Sequence, residues 1–238
     1  MINLERIPWR CRLSAFECFL ALLGALVAAP ALVAVALAAW RRLSGNPPDS
    51  LLVQALLYVV PAAVALSVCG AVRPRGNLLR KLGIRALRFR DFRTVVAGCL
   101  VIWGIGNWLI GSFWRNLLAF CKIDFAETQN LVMAAISMSG WRLAVLAVLV
   151  ALVIPAVEEL VFRRLLYGLF RPLGGVVALG LTATLFGCVH FFLLGLPSLI
   201  FMGVVFQIAF LTSRNLLVPF MIHMIINGAV LLMLPILD

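Results

Sequence analysis

Long apolar stretches separated by short polar connections run through the whole chain. Five of them contain no charged residue: 18–40, 50–72, 94–114, 172–213 and 215–237. An α-helix crosses a bilayer with about 20 apolar residues, so 172–213 is long enough to cross twice, with a turn at Gly195-Leu196-Pro197. One more crossing begins at 141 and runs directly into Glu158 and Glu159. The predicted fold class is therefore all-α, a polytopic membrane helix bundle of seven spans at 14–40, 51–72, 94–113, 141–169, 175–195, 198–213 and 216–235.

The composition supports an integral membrane protein. Of the 238 residues, 64% are hydrophobic and 12% are charged, with a mean hydropathy of +1.13. A soluble domain is about 45–50% apolar and 25% charged. The first apolar run is longer than the roughly 7–15 residues of a signal-peptide core, so we interpret it as an anchor. We expect one membrane domain over 1–238, without repeats or an appended soluble module.

The positive charge is distributed asymmetrically. Between the second and third spans lie eight basic residues: Arg73, Arg75, Arg80, Lys81, Arg85, Arg88, Arg90 and Arg93. The connections on the opposite side carry five: Arg41, Arg42, Arg115, Lys122 and Arg142. The positive-inside rule then places the N-terminus and the 73–93 loop in the cytoplasm. The net charge of +11 is thus explained by topology and by anionic lipids as a partner of 73–93, and no nucleic acid is expected as a partner.

Ionisable and amide side chains recur in the later spans. Glu158 and Glu159 are the only acidic residues well inside a span, and His190 and His223 are the only histidines. Asn227 follows His223 by four residues, so the two share a helix face. With a rise of about 1.5 Å per residue, Glu158 and His190 lie at levels that differ by roughly 6 Å when counted from the turn at 171–175. Intramembrane ionisable groups indicate function by default, and these groups are expected to converge.

Each of these features also has a purely structural interpretation. Glu159 and Arg163 are separated by four residues and could form an ion pair that serves only the fold. Arg164 is expected to be a snorkelling anchor near the cytoplasmic surface, and Phe186 is expected to pack. The two arginines suggest a cavity that opens to the cytoplasm. The connection at 114–140 is expected to lie in the membrane interface or to help admit a substrate.

Three motifs in the second half of the chain follow one another in a fixed order. They are Glu158-Glu159-x-x-x-Arg163, Phe186-x-x-x-His190 and His223-x-x-x-Asn227. Each motif is weak alone, but the ordered set inside apolar spans resembles the CAAX protease and bacteriocin-processing family, also called Abi-type intramembrane endopeptidases. The resemblance covers about 141–235, which we interpret as the catalytic core.

The resemblance implies a peptidase that hydrolyses a peptide bond of a membrane-anchored protein or peptide. In this interpretation Glu158 is the general base, and His190 holds the water. His223 and Asn227 donate hydrogen bonds to the oxyanion. Glu159 and Arg163 support the site as a pair. We expect a glutamate-dependent enzyme without a cofactor.

Several alternatives stay open. Glu158, His190 and His223 also form a His₂Glu set that could ligate zinc, although no HExxH motif is present. A non-catalytic membrane scaffold or a proton-coupled transporter could also use buried polar groups. Family members in eukaryotes act on prenylated proteins, and bacterial members act in peptide maturation, immunity or removal of sorting tails. The arginine-rich, compact chain is typical of the bacterial inner membrane.

Overall fold

The computed structural model describes residues 13–71, 79, 82–123 and 140–233. Within these ranges the chain forms helices and no strand, as predicted. The helices of 14 residues or more are α1 (Ala15–Ser44), α2 (Ser50–Ala71), α3 (Phe89–Phe120), α4 (Trp141–Leu173), α5 (Gly175–Cys188), α6 (Leu193–Ser213) and α7 (Leu217–Met233). Five are long and apolar enough to cross a membrane, whereas α5 and α7 have 14 and 17 residues.

Two predicted spans have different ends. The third, predicted at 94–113, is the longer helix α3 and ends at Phe120. Arg115 and Asn116 interrupt the apolar run there, but both residues are tolerated in a helix, so the helix continues through them. The connection predicted at 114–140 therefore starts later, and its residues 124–139 lie outside the described ranges, as do 72–78 and 80–81 of the basic loop.

The fifth span, predicted at 175–195, ends earlier, at Cys188. Tight turns replace the helical bonds: the His190 N–H donates to the Gly187 carbonyl at 3.3 Å, and the Phe191 N–H donates to the Cys188 carbonyl at 3.1 Å. Phe191 adopts a left-handed φ of 48°, a conformation that is uncommon outside glycine. This early end places His190 just beyond the helix, half-buried and against the Phe186 ring.

Helix α4 contains two wide, π-type turns, at Leu149–Val153 and Glu159–Leu166. Such turns are rare overall, and those that occur are often found at functional sites. Pro155, which has no N–H to donate, lies between them. The two turns flank the position of Glu158, so the acidic pair is presented by an irregular part of the helix.

Close contacts at small residues join α5, α6, α3 and α7. A Cβ built on Gly203 of α6 would lie 2.9 Å from the Ala183 Cα of α5. A Cβ on Gly98 of α3 would lie 2.6 Å from the Ile222 Cδ1 of α7. The Ser198 hydroxyl of α6 donates to the Gly106 carbonyl of α3 at 2.8 Å. These contacts bring the helix backbones together around the site.

Residues 83–91 are fixed to the turn between α6 and α7. The Arg85 guanidinium binds both oxygens of Asp91, at 2.8 and 2.9 Å, and donates to the Ser213 carbonyl at 2.9 Å. The Asn215 amide accepts from the Arg85 N–H at 3.3 Å and donates to the Arg85 carbonyl at 3.1 Å. The Leu216 N–H donates to the Gly83 carbonyl at 2.9 Å. The segment that leads into α3 is thereby held against the second half of the chain.

Candidate active site

Glu159 and Arg163 form the ion pair that their spacing predicts. The Arg163 Nε donates to Glu159 Oε2 at 2.9 Å, and both side chains are fully buried. Arg163 Nη1 donates to the Gly203 carbonyl at 3.2 Å. The guanidinium also lies over the Phe186 ring, 4.7 Å from its centroid. A buried charge needs such partners, because an isolated one is very costly to bury.

His223 connects the two glutamates. Its Nδ1 lies 2.9 Å from Glu159 Oε1, and its Nε2 lies 3.6 Å from Glu158 Oε2. The first distance is a hydrogen bond and the second is too long for one. An ionised carboxylate only accepts, so Nδ1 carries the proton toward Glu159, and this contact fixes the orientation of the ring. The residue spacing alone did not predict the bond between Glu159 and His223.

His190 approaches from the tip of α5. Its Nδ1 lies 2.7 Å from the Phe186 carbonyl, which can only accept, so Nε2 of the neutral ring keeps a lone pair. The Phe186 ring contacts both histidines, with centroids 4.9 Å from His190 and 5.8 Å from His223. Phe186 is fully buried and packs as predicted. Phe186 thus contacts both histidines, and His223 in turn lies beside the two glutamates.

Asn227 makes a contact that its motif did not indicate. Its Nδ2 donates to the Val150 carbonyl of α4 at 3.0 Å. One of the two Nδ2 hydrogens is used in this bond. Asn227 thus faces α4, as expected because it shares a helix face with His223. The group that it binds there, however, is a backbone carbonyl.

The expectation that Arg164 is a snorkelling anchor is wrong. Only 3% of this residue is exposed, and its guanidinium lies 6.0 Å from the Phe210 ring centroid. Arg163 is likewise buried, so neither arginine lines an open cytoplasmic entrance. Arg163 and Arg164 both lie in the wide turn Glu159–Leu166, and both side chains face the bundle. The spacing of a regular helix did not predict that two adjacent residues would be buried in this way.

Two further groups near the cluster were not selected from the sequence as site residues. Tyr58 of α2 lies within electrostatic range of Glu158. Gln207 of α6 is fully buried, and its amide has no hydrogen-bond partner among the described residues. Tyr58 could have been noticed as a hydroxyl well inside a span.

The zinc alternative requires side chains that are grouped closely enough to ligate one ion. Among the residues that the structure describes, no three His, Cys, Asp or Glu side chains are grouped so that they could hold a metal ion. We therefore derive no step that uses zinc.

Fold and site define the class as an integral membrane protein with a buried glutamate–histidine cluster, and the comparisons show which family its second half is similar to. Residues 140–229 match the model of the type II CAAX prenyl endopeptidase Rce1-like family. The membrane-embedded CAAX protease MroQ of Staphylococcus aureus (strain USA300) is 32% identical over 90 residues, which are 35% of this chain and 36% of that protein. Over the segment that holds the three motifs, both comparisons agree with the CAAX protease family that the motifs predicted.

The matched region is limited in extent. The chain spans about a third of the length of this curated relative, and the helices before residue 140 lie outside the family match. No solved structure gives a significant match.

Proposed function

We propose that this protein is an intramembrane endopeptidase that hydrolyses a peptide bond of a membrane-anchored protein or peptide. The observation that supports this most directly is the environment of the Glu158 carboxylate. Its Oε2 is buried, has no hydrogen-bond partner among the described residues, and lies 3.6 Å from a histidine whose other nitrogen is fixed. A carboxylate oxygen held ready in this way suits a general base.

The proposed reaction needs a particular protonation state of His223. Its Nδ1–H already donates to Glu159, so Nε2 can donate to an oxyanion only when the ring carries a second proton. In this state Nδ1–H of His223 donates to Glu159, and Nε2–H is available to an oxygen that lies between it and Glu158.

The proposed reaction uses these groups in sequence. A water molecule donates one hydrogen bond to Glu158 and one to the Nε2 lone pair of His190. As the water oxygen attacks the scissile carbonyl carbon, its proton passes to Glu158. The resulting oxyanion accepts from Nε2–H of His223 and from the second Nδ2 hydrogen of Asn227. Glu158 then transfers the proton to the leaving nitrogen as the C–N bond breaks and the carbonyl re-forms, which gives a carboxylic acid and an amine.

The test is cleavage of a membrane-anchored peptide by detergent-purified protein, followed by mass spectrometry. Glu158→Gln and His190→Ala should each reduce turnover by roughly 10²–10⁴-fold, because each removes a group that acts on the water. The matched control is Asp49→Asn, which removes a carboxylate that pairs with Arg142 at the far end of α2.

The control should cleave as well as the unmodified protein, and turnover should persist in the presence of a metal chelator. Full turnover by Glu158→Gln would overturn the proposal, and so would the absence of any cleaved peptide among membrane-protein substrates. Loss of turnover with the chelator, restored by zinc, would overturn its metal-free form.

A further inference from the structure

The bond between Asn227 and Val150 originates in the sequence of α4. In the wide turn Leu149–Val153, the Ile154 N–H donates to the Leu149 carbonyl, five residues back. The next donor in this register is residue 155, which is proline and has no N–H. The Val150 carbonyl is therefore left without its intrahelical donor, and a half-buried carbonyl in an apolar helix bundle needs a partner.

Asn227 supplies that partner from a different helix. Its Nδ2 lies 3.0 Å from the Val150 oxygen. One turn earlier on α7, His223 binds Glu159, which follows Pro155 in α4. Helix α7 thus contacts α4 on both sides of the proline, through Asn227 before it and through His223 after it.

We infer that Asn227 is a positioning residue for the wide turn before Pro155 in α4, in addition to any contact with substrate. By binding the carbonyl that Pro155 leaves unpaired, it holds this turn of α4 against α7. The position of the turn determines where Glu158, three residues after the proline, lies relative to His223. The catalytic consequence rests on the proposed peptidase function, whereas the structural coupling between Asn227 and Pro155 does not.

The coupling is measured by a double-mutant cycle on purified protein without substrate. Asn227→Ala should lower the thermal midpoint by about 2–4 °C, the shift that loss of one interaction produces in a chain of this size. Pro155→Ala or Pro155→Ser restores an N–H for the Val150 carbonyl. In either background, Asn227→Ala should lower the midpoint by less than half as much.

Ser198→Ala is the matched control, because it also removes a side-chain bond to the backbone of another helix, at Gly106. Its effect should be the same with and without Pro155. Equal effects of Asn227→Ala in all backgrounds would overturn the inference, since two residues that share a partner are not additive.

A second measurement needs no change at Pro155. Hydrogen exchange of the peptide that covers 149–154 should become faster in Asn227→Ala and stay unchanged in Ser198→Ala. Unchanged exchange in both variants would also overturn the inference. If the function is as proposed, kcat of Asn227→Ala should partly recover when Pro155→Ala is added, with little change in KM. A protein that shows the stability coupling but cleaves nothing would refute the function and leave the coupling intact.

Discussion

Glu159 holds two partners at once. One carboxylate oxygen accepts from Arg163 and the other accepts from His223. Loss of its charge therefore affects both the buried guanidinium and the orientation of the ring that faces Glu158. This residue links the stability of the bundle to the geometry of the site.

Glu159→Gln and Arg163→Met should each reduce both stability and turnover. Removal of one partner of a buried pair typically costs about 3–5 kcal/mol, because the remaining charge is left uncompensated. The double variant should recover part of the lost stability, since neither charge is then alone. A double-mutant cycle of thermal unfolding on detergent-purified protein measures this recovery.

The ion pair of Arg85 and Asp91 provides the matched control. Arg85 is one-quarter exposed, and the pair lies at the start of α3, away from the site. Arg85→Met with Asp91→Asn should leave the turnover of folded protein intact. Strictly additive losses for Glu159 and Arg163 would show that the two residues do not act as a pair. Full stability of Glu159→Gln together with complete loss of turnover would instead place Glu159 among the groups that contact the reacting atoms.

Helices α5 and α6 form a tightly packed hairpin beside the cluster, and Gly203 carries two functions there. Its missing side chain admits Ala183, and its carbonyl accepts from Arg163. Gly203→Ala should destabilise the protein by about 1–3 kcal/mol, because the new methyl group would overlap the α5 backbone. Turnover should fall as well, because the Gly203 carbonyl would shift and no longer hold Arg163 in position. Thermal unfolding and the peptide-cleavage assay check both.

Gly180 of α5 offers a matched control for that substitution. A Cβ there would meet no atom within 4 Å. Gly180→Ala should be neutral or stabilise the helix by up to about 1 kcal/mol, because alanine is the better helix former. Equal effects of the two substitutions would mean that α5 and α6 do not pack as closely as described.

The sequence was informative where a physical signal is local to the chain. Apolar length predicted the helices, and a spacing of four residues predicted the pair of Glu159 and Arg163. The early end of α5 could not be predicted, because residues 189–194 are as apolar as the helix and the turn depends on the left-handed backbone of Phe191. The partner of Asn227 is a backbone carbonyl. Every residue has one, so the sequence does not indicate which carbonyl Asn227 binds. Only the assembled helices reveal which carbonyl lacks a donor.

The two ends of the bundle can be compared with the predicted orientation. Arg142 pairs with Asp49, and the Trp114 indole donates to the Leu193 carbonyl at 2.9 Å, so these connections share one end. The Leu216 N–H bonds the Gly83 carbonyl at the other end. These contacts agree with alternating crossings, and the excess of basic residues near Gly83 predicts that its end is cytoplasmic.

Accessibility of introduced cysteines tests this orientation in intact cells. With the native cysteines removed, Ala86→Cys should resist an impermeant thiol reagent, and Lys122→Cys, beyond the opposite end of α3, should react. Both positions are exposed to solvent or lipid in the folded chain, so burial does not explain a difference. Labelling of Ala86→Cys from outside, with Lys122→Cys protected, would reverse the topology.

The attachment of residues 83–91 to the α6–α7 turn also restricts where residues can be inserted into or deleted from this chain. Each bond there joins a particular backbone position: Gly83 to Leu216, and Arg85 to Ser213 and Asn215. One residue inserted or deleted between Gly83 and Asp91 would shift every later partner, and α3 would enter the bundle out of register with Ile222 and Ser198. Homologous proteins should therefore have no insertions or deletions in this segment. A domain fused into the loop would have to be inserted before Gly83.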